Sequence, residues 1–191
     1  MQILEENQRI LSNNGKIITN YNNEICYLLN SKDVVDYKKT RIGEKADGGY
    51  ILLDDFKNVK IAYSFGIAAE ISIEKELADR NIDIFMYDHT INKLPFENPK
   101  FHWKKIGLSG QNNNDNNMKT LSELIKENGH LNEENMILKI DIESYDWEVF
   151  QYLNISIFRQ FKYIVGDFHI SDSNEFDYCN TILNDIPFSQ K

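Results

Sequence analysis

The chain has little of three features that mark whole classes of protein: closely spaced cysteines, long apolar runs and clusters of basic residues. Among its 191 residues the two cysteines, Cys26 and Cys179, lie too far apart for a metal or redox spacing, so each is expected to be a small buried residue. The acidic N-terminus and the absence of a long apolar run predict a soluble, cytoplasmic protein without a membrane partner. The net charge is −9 with Lys and Arg scattered, which predicts no nucleic-acid partner because such a partner needs a basic face.

Apolar runs and helical patterns alternate along most of the chain, and this alternation predicts one α/β domain. The expected strands cover, in chain order, residues 61–66, 82–88, 101–108, 136–142 and 163–168. A helix is expected over Ser72–Arg80, another is opened by a capping box from Thr120 to Glu123, and a last one starts near Ser173. We therefore predict a doubly wound, mostly parallel sheet with right-handed crossovers, preceded by a helical lead-in over residues 1–40.

Acidic residues stand at the ends of several of these strands. Asp88 ends the second strand, Asp141 lies at the end of the fourth, and Asp167 ends the fifth with His169 just beyond it. Ligands of open α/β sheets bind outside the carboxyl ends of the strands, where the strand order reverses. The pattern therefore predicts a ligand crevice lined by carboxylates.

The turn after the first strand indicates what kind of ligand this is. It contains Gly66 followed by Ala68, Ala69 and Glu70, and not the three glycines on which a dinucleotide pyrophosphate rests. This disfavours an NAD-type oxidoreductase. Glu70 suits a cationic amine, as in S-adenosylmethionine (SAM), or alternatively it is a helix N-terminal charge that favours the macrodipole. Asp88 is expected to accept hydrogen bonds from a ribose diol, the alternative being a cap for the turn that follows it.

An ordered series of short motifs carries a family resemblance. In chain order these are Arg41-Ile42-Gly43, Asp47-Gly48-Gly49-Tyr50, Tyr63-Ser64-Phe65-Gly66-Ile67, Asp88-His89-Thr90-Ile91, Phe101-His102, Gly107-Leu108-Ser109 and Lys139-Ile140-Asp141-Ile142-Glu143. Over roughly residues 41–170 the chain resembles the FkbM-like branch of the class I SAM-dependent methyltransferases. The resemblance implies a three-layer, Rossmann-like fold with a seven-stranded sheet, SAM as donor, and methylation of a hydroxyl on a sugar, glycan or related small molecule, as in polysaccharide biosynthesis.

The resemblance also implies a set of cofactor-binding residues. Gly66 and its neighbours would face the methionine part of SAM, Asp88 the ribose, and residues 107–109 the adenine, while Asp141 would lie beside the sulfonium and the acceptor. The full expected set is Gly49, Tyr50, Phe65, Gly66, Ile67, Ala68, Glu70, Asp88, His89, Thr90, Gly107, Leu108, Ser109 and Asp141.

A hydroxyl acceptor needs a general base, and His169 is the first candidate because a neutral histidine suits this task near pH 7. Asp141 and Asp167 are the second candidates. An alternative for His169 is a loop histidine that satisfies a backbone carbonyl. In a variant of the mechanism, Asp141, Asp167 and His169 hold a divalent cation, although no spacing demands a metal and none is expected.

The sequence departs from the family pattern in three places. Ser144 replaces a usual glycine, Asp146 replaces a usual glutamate, and the chain ends at Lys191, before the expected strands six and seven. We therefore expect a methyltransferase domain over 41–191 that is short at its C-terminal side. Its fifth strand would be a bare apolar edge, which leaves self-association into a homodimer open. A catalytically inactive SAM-fold binding module also remains an alternative.

Overall fold

The computed structural model describes residues 36–45, 48–112, 115, 117–143 and 145–168. They begin with an antiparallel hairpin of β1 (Lys39–Ile42) and β2 (Tyr50–Leu53), in which Lys39 pairs with Leu53. The first two residues of β1, Lys39 and Thr40, fall within the predicted lead-in over 1–40. Residues 1–35 of the lead-in, both cysteines, Ser144, His169 and the predicted last helix lie outside the described residues.

A five-stranded parallel sheet forms the centre of the described fold. Its strands are β3 (Ile61–Phe65), β4 (Asp83–Tyr87), β5 (Phe101–Lys104), β8 (Met136–Ile140) and β9 (Phe161–Gly166). Their order across the sheet is β5-β4-β3-β8-β9, and every neighbouring pair is parallel. The predicted doubly wound α/β sheet is confirmed. Because the order reverses at β3, the sheet has its switch point between β3 and β8, where such sheets bind ligands.

Helices connect these strands. They are α1 (Ser72–Asp79), α2 (Leu121–Glu127), α3 (Asp146–Tyr152) and the short α4 (Ile155–Phe158). The predicted capping box of α2 is confirmed, since the Thr120 side chain accepts from the Glu123 amide and the Glu123 carboxylate accepts from the Thr120 amide. Just after α2, Gly129 has a φ of +80°, the left-handed conformation that ends many helices. Within the described parts of the chain, no helix is long and apolar enough to cross a membrane.

The two faces of the sheet have different chemistry. Parallel pairing sets Tyr63 beside Phe85 and Phe65 beside Tyr87, and their ring centroids lie 5.5 Å and 5.2 Å apart. Side chains alternate along a strand, so Ser64 points to the opposite face, where its register partner on β8 is Lys139. One face is therefore an aromatic stack, and the other carries two polar residues in an otherwise apolar surface.

The third predicted strand is wrong in its extent. It was expected to run over 101–108, but β5 ends at Lys104, and Gly107–Leu108 form a separate strand, β6. This strand pairs in parallel with β7 (Met118–Lys119), beyond the polar Asn-rich loop. The fifth predicted strand also begins two residues too late, because Phe161 already pairs with Met136. The central strand β8 lies within its predicted range.

Leu124→Ala tests the described core. Leu124 in α2 is fully buried, so its truncation leaves a cavity and should lower the free energy of unfolding by about 2–5 kcal/mol. Leu131→Ala is the matched control, because half of that side chain is exposed and its loss should cost less than about 0.5 kcal/mol. Urea unfolding of both variants measures the difference. Equal losses would contradict the described packing of α2.

Candidate functional site

A cleft opens at the switch point of the sheet, at the carboxyl ends of β3, β4 and β8. It encloses about 490 Å³, within the range of small-molecule sites. Its walls come from the turns that follow these strands and from β6 and β7. The lining residues are Gly66, Ala68, Tyr87, Asp88, His89, Thr90, Gly107, Leu108, Met118, Asp141, Ile142, Glu143 and Tyr145.

The turn of residues 65–68, called here the Gly66 turn, forms the floor of the cleft. Gly66 has a φ of +72°, and a Cβ at this position would collide with the backbone carbonyl of Asp141. Ala68 has a φ of +44°, a left-handed conformation that is unfavourable for a residue with a Cβ. The turn therefore brings β3 close to the tip of β8, and surrounding contacts must stabilise its shape.

Asp88 supplies one set of these contacts. One oxygen, Oδ2, accepts hydrogen bonds from the amides of Ile67 and Ala68 at 2.9 and 3.0 Å. The other, Oδ1, accepts from the amide and the hydroxyl of Thr90 at 2.7 and 2.6 Å. Burial raises the pKa of Asp88, but these hydrogen bonds outweigh that effect and the pKa lies below its ordinary value. The carboxylate thus caps its own turn, as the alternative interpretation required, and also braces the Gly66 turn.

Lys139 supplies the opposite set of contacts from behind the turn. Its side chain lies almost wholly inside the protein, and Nζ donates to the carbonyls of Gly66 at 2.6 Å and Phe65 at 3.3 Å. Nζ also lies 3.6 Å from Oδ2 of Asp141. The carbonyls of the turn therefore meet an ammonium group, while its next two amides meet a carboxylate.

The charges that line the cleft have one sign. Asp88, Asp141 and Glu143 are acidic, and among the described residues of the lining there is no Lys or Arg. Asp141 presents a carboxylate that is about 31% exposed, and within the described residues its ion-pair partner is Lys139, behind the turn. The cleft therefore favours a ligand that carries positive charge and no phosphate.

Many of the predicted cofactor residues lie together in this cleft. They are Gly66, Ala68, Asp88, His89, Thr90, Gly107, Leu108 and Asp141. A Cβ at Gly107 would meet the His89 ring and the Met118 side chain, so a larger residue there would have to displace them. The strand-tip argument thus located the cleft, although which of these residues touches a cofactor stays a prediction.

Other predicted cofactor residues lie behind or beside the cleft. Phe65 and Ile67 bury their side chains in the core and contribute only backbone near the Gly66 turn. Tyr50 packs against the core, and the Gly49 carbonyl accepts a hydrogen bond from Arg41. Ser109 lines a different surface depression, next to the start of α2. None of these five residues belongs to the cleft lining.

Glu70 lies in a separate groove beside the hairpin turn, and not in the cleft. Its carboxylate accepts from the Ser72 amide at 2.7 Å and from the Ser72 hydroxyl at 2.9 Å, at the start of α1. These contacts are those of the alternative interpretation, a helix N-terminal charge that favours the macrodipole. The sequence could not distinguish the two interpretations, because both place an acid just before the helix.

Of the predicted catalytic residues, Asp141 alone lies in the described cleft lining. Asp167 is exposed just past β9, where its amide donates to the carbonyl of Ile140. His169 lies outside the described residues, so its role as general base stays a prediction. Among the described residues no three His, Cys, Asp or Glu side chains form a group able to hold a metal ion. The variant of the mechanism with a metal on Asp141, Asp167 and His169 stays a prediction, because His169 lies outside the described residues.

The cleft includes residues that the sequence did not single out. Tyr145 stands at its mouth with 64% of the side chain exposed, and Met118 enters from β7. An aromatic residue two positions after the Asp141–Glu143 motif was a signal that the sequence offered. Asp146, where the family pattern has a glutamate, is fully buried and accepts a hydrogen bond from the Ile142 amide. It therefore shapes the turn that carries Tyr145.

The doubly wound sheet with this acid-lined cleft at its switch point defines an α/β protein with a Rossmann-like methyltransferase fold. A family model described as a methyltransferase domain matches residues 7–181, and the chain belongs to that family. Methyltransferase domains generally use SAM as the methyl donor. No curated protein and no solved structure matches the chain. Membership of the FkbM-like branch stays a prediction.

Asp88→Asn tests the bracing of the Gly66 turn. The amide of asparagine cannot accept the same four hydrogen bonds. At pH 7 the free energy of unfolding of the variant should therefore be about 1–3 kcal/mol lower than that of the wild type. The folded pKa of Asp88 lies below its unfolded value of roughly 3.9. Its stabilisation is therefore complete above about pH 4 and is lost as the pH falls through the lower, folded pKa. Urea unfolding between pH 7 and pH 2.5 measures the difference from the wild type.

Asp54→Asn is the control for this experiment, since Asp54 is an exposed carboxylate just after β2. This variant should match the wild type at every pH. A stability difference for Asp88→Asn that stays constant down to pH 2.5 would contradict the role of the ionised carboxylate.

Proposed function

We propose that the cleft binds SAM and that the protein transfers its methyl group to a hydroxyl of a sugar, glycan or related small molecule. The observation that carries the proposal is the charge of the cleft, which has acids in its lining, whereas the ammonium group of Lys139 lies behind the Gly66 turn. SAM supplies an activated methyl group on a sulfonium, and its amino-acid tail adds a second cationic group. Both match an acidic site at a switch point.

The residues of the cleft fit the parts of SAM. A volume of about 490 Å³ is adequate for a ligand of this size. Gly66 and Ala68 leave the floor free of large side chains where the methionine part would lie. Leu108 and Met118 provide an apolar wall on the side of β6 and β7, which suits an adenine ring. The proposal also assigns Asp88 to the ribose, through exchange of one hydrogen bond that it now accepts from Thr90.

The alternative of an NAD-type oxidoreductase is disfavoured by the backbone of the same turn. A dinucleotide pyrophosphate rests on free amides after the first strand of such a sheet. Here the amides of Ile67 and Ala68 both donate hydrogen bonds to the Asp88 carboxylate, so a pyrophosphate would have to displace that carboxylate. Three acidic side chains would then surround two phosphate charges.

The acceptor site is proposed at the open end of the cleft, around Tyr145 and Asp141. The exposed ring of Tyr145 offers a flat apolar face with a polar tip, a surface on which the C–H groups of a sugar ring can pack. The Asp141 carboxylate can accept a hydrogen bond from the acceptor hydroxyl and then its proton. The other contributions of the protein to methyl transfer are the alignment of the two reactants and the exclusion of water.

Asp141→Asn tests the pairing of this carboxylate with the sulfonium. SAM carries the sulfonium charge and S-adenosylhomocysteine (SAH) does not, so loss of the carboxylate charge should weaken SAM more than SAH. The expected difference is about fivefold, the effect of roughly 1 kcal/mol for a charge pair in a well-hydrated site. Calorimetric titration of the variant with both ligands measures the ratio of the two dissociation constants.

Asp79→Asn is the control, since Asp79 is an exposed carboxylate that does not line the cleft. It should leave both affinities unchanged. Equal weakening of SAM and SAH by Asp141→Asn would remove Asp141 from the sulfonium site. Tighter binding of NAD than of SAH by the wild type would overturn the proposed donor, and SAM binding without methyl transfer to any acceptor in a broad panel would favour the inactive module.

Tyr145→Ala tests the acceptor site. With an acceptor identified by transfer of radiolabelled methyl groups to a panel of sugars and glycans, the variant should raise the acceptor KM about tenfold. The rise in KM is expected because loss of a stacked ring is worth about 1 kcal/mol or more. The dissociation constant of the variant for SAH should stay within about twofold of the wild type. Tyr152→Ala is the matched control, because Tyr152 is 49% exposed but lines a different depression. A KM unchanged in Tyr145→Ala would move the acceptor away from this residue.

A further inference from the structure

Lys139 is a charged residue in a place where a parallel sheet normally has an apolar one. It lies inside β8, between Leu138 and Ile140, and only about 5% of it is exposed. An ammonium group is costly to bury unless it is paired and hydrogen-bonded. Its position therefore indicates contacts that offset this cost.

Two of these contacts are the carbonyls of the Gly66 turn. Nζ of Lys139 lies 2.6 Å from the Gly66 oxygen and 3.3 Å from the Phe65 oxygen. The next two amides of the turn, those of Ile67 and Ala68, point to Asp88 instead. A positive and a negative group thus hold successive peptide units of one short turn from two directions.

A buried acid, Glu74, lies on the same face of the sheet as Lys139, in addition to Asp141, whose Oδ2 lies 3.6 Å from Nζ of Lys139. Glu74 belongs to the first turn of α1 and is 1% exposed, and its Oε1 accepts a hydrogen bond from Ser64 at 2.5 Å. Its other oxygen, Oε2, accepts no hydrogen bond from any described residue. Burial raises the pKa of Glu74, and the nearby charge of Lys139 acts in the opposite direction. Since Ser64 and Lys139 are register partners and Ser64 donates to Glu74, the three buried side chains lie near one another.

We propose that Lys139 is a positioning residue: its ammonium group, with its charge balanced by Glu74, holds the Gly66 turn in the shape that receives the cofactor. The turn needs such support because Ala68 adopts a left-handed conformation that costs energy by itself. The proposal rests on the proposed function only in naming the ligand. The ordering of the turn by Lys139 is independent of what binds there.

Lys139→Met tests the proposal, since methionine keeps most of the length of the side chain and removes the charge. In the free protein, hydrogen exchange at the amides of Ile67 and Ala68 should become at least tenfold faster, while exchange at Leu124 in α2 stays the same. The dissociation constant for SAH should rise about tenfold or more. Lys100→Met is the matched control, because Lys100 is a half-buried lysine that pairs with Asp83 at the opposite end of β4. It should change neither measurement.

Glu74→Gln distinguishes positioning from a merely structural role. It keeps the shape and the hydrogen bond from Ser64 but removes the balancing charge, so it should weaken SAH binding several-fold in the wild-type background. In the Lys139→Met background it should have no further effect, because the charge it balances is gone. Additive effects of the two substitutions on SAH binding would overturn the pairing.

The outcomes separate this proposal from the proposed function. Unchanged amide exchange at Ile67 and Ala68 in folded Lys139→Met would overturn the positioning role, whatever the ligand. Faster exchange together with a wild type that does not bind SAH would support the positioning role and overturn SAM as the cofactor. If Lys139→Met does not fold, Glu74→Gln alone decides, since unchanged exchange at the two amides in that variant contradicts the proposal.

Discussion

The Gly66 turn is held between opposite charges from the two strands that flank β3, and the rest of the cleft depends on this arrangement. Asp88 follows β4 and accepts hydrogen bonds from the amides of the turn. Lys139 lies within β8 and donates hydrogen bonds to the carbonyls of the turn. Buried peptide groups without partners would cost several kcal/mol. The sheet order makes the arrangement possible, because β4 and β8 are the neighbours of β3.

This arrangement also decides the charge of the cleft. The positive group that the turn requires lies behind it, away from the lining, and the negative groups at the strand tips remain in front. In a pyrophosphate site the amides of the same turn face the ligand. Here they are already bonded to a side chain, so the backbone of the turn presents no row of free donors. A cationic nucleoside cofactor is the ligand class that this distribution of charge favours.

Much of this architecture could be predicted from the sequence. Short apolar runs located β3, β4 and β8, the last two of which are followed by carboxylates, and the Thr120–Glu123 pair located the start of α2. The strand tips then placed the cleft, because parallel strands bring their carboxyl ends to one edge. These are local signals, each contained within a few consecutive residues.

The remaining features depend on partners distant in sequence. The two-residue strands β6 and β7 pair across the Asn-rich loop, and no periodicity can be read from two residues. Lys139 looked like part of a buried strand, but the carbonyls it binds lie 73 and 74 residues away. From the sequence, Glu70 could belong to the cleft or to the start of α1. The structure shows that its carboxylate accepts a hydrogen bond from the Ser72 amide, at the start of α1.

The most direct test of the account is to titrate the isotopically labelled protein with SAH and follow its backbone amide resonances. The account predicts saturable, micromolar binding with the largest shifts at the lining residues, among them Gly66, His89, Gly107 and Ile142. Equivalent titration with NAD should leave those resonances unchanged. Shifts centred elsewhere, or no saturable shifts with SAH, would contradict the central claim that this acid-lined cleft is a SAM site.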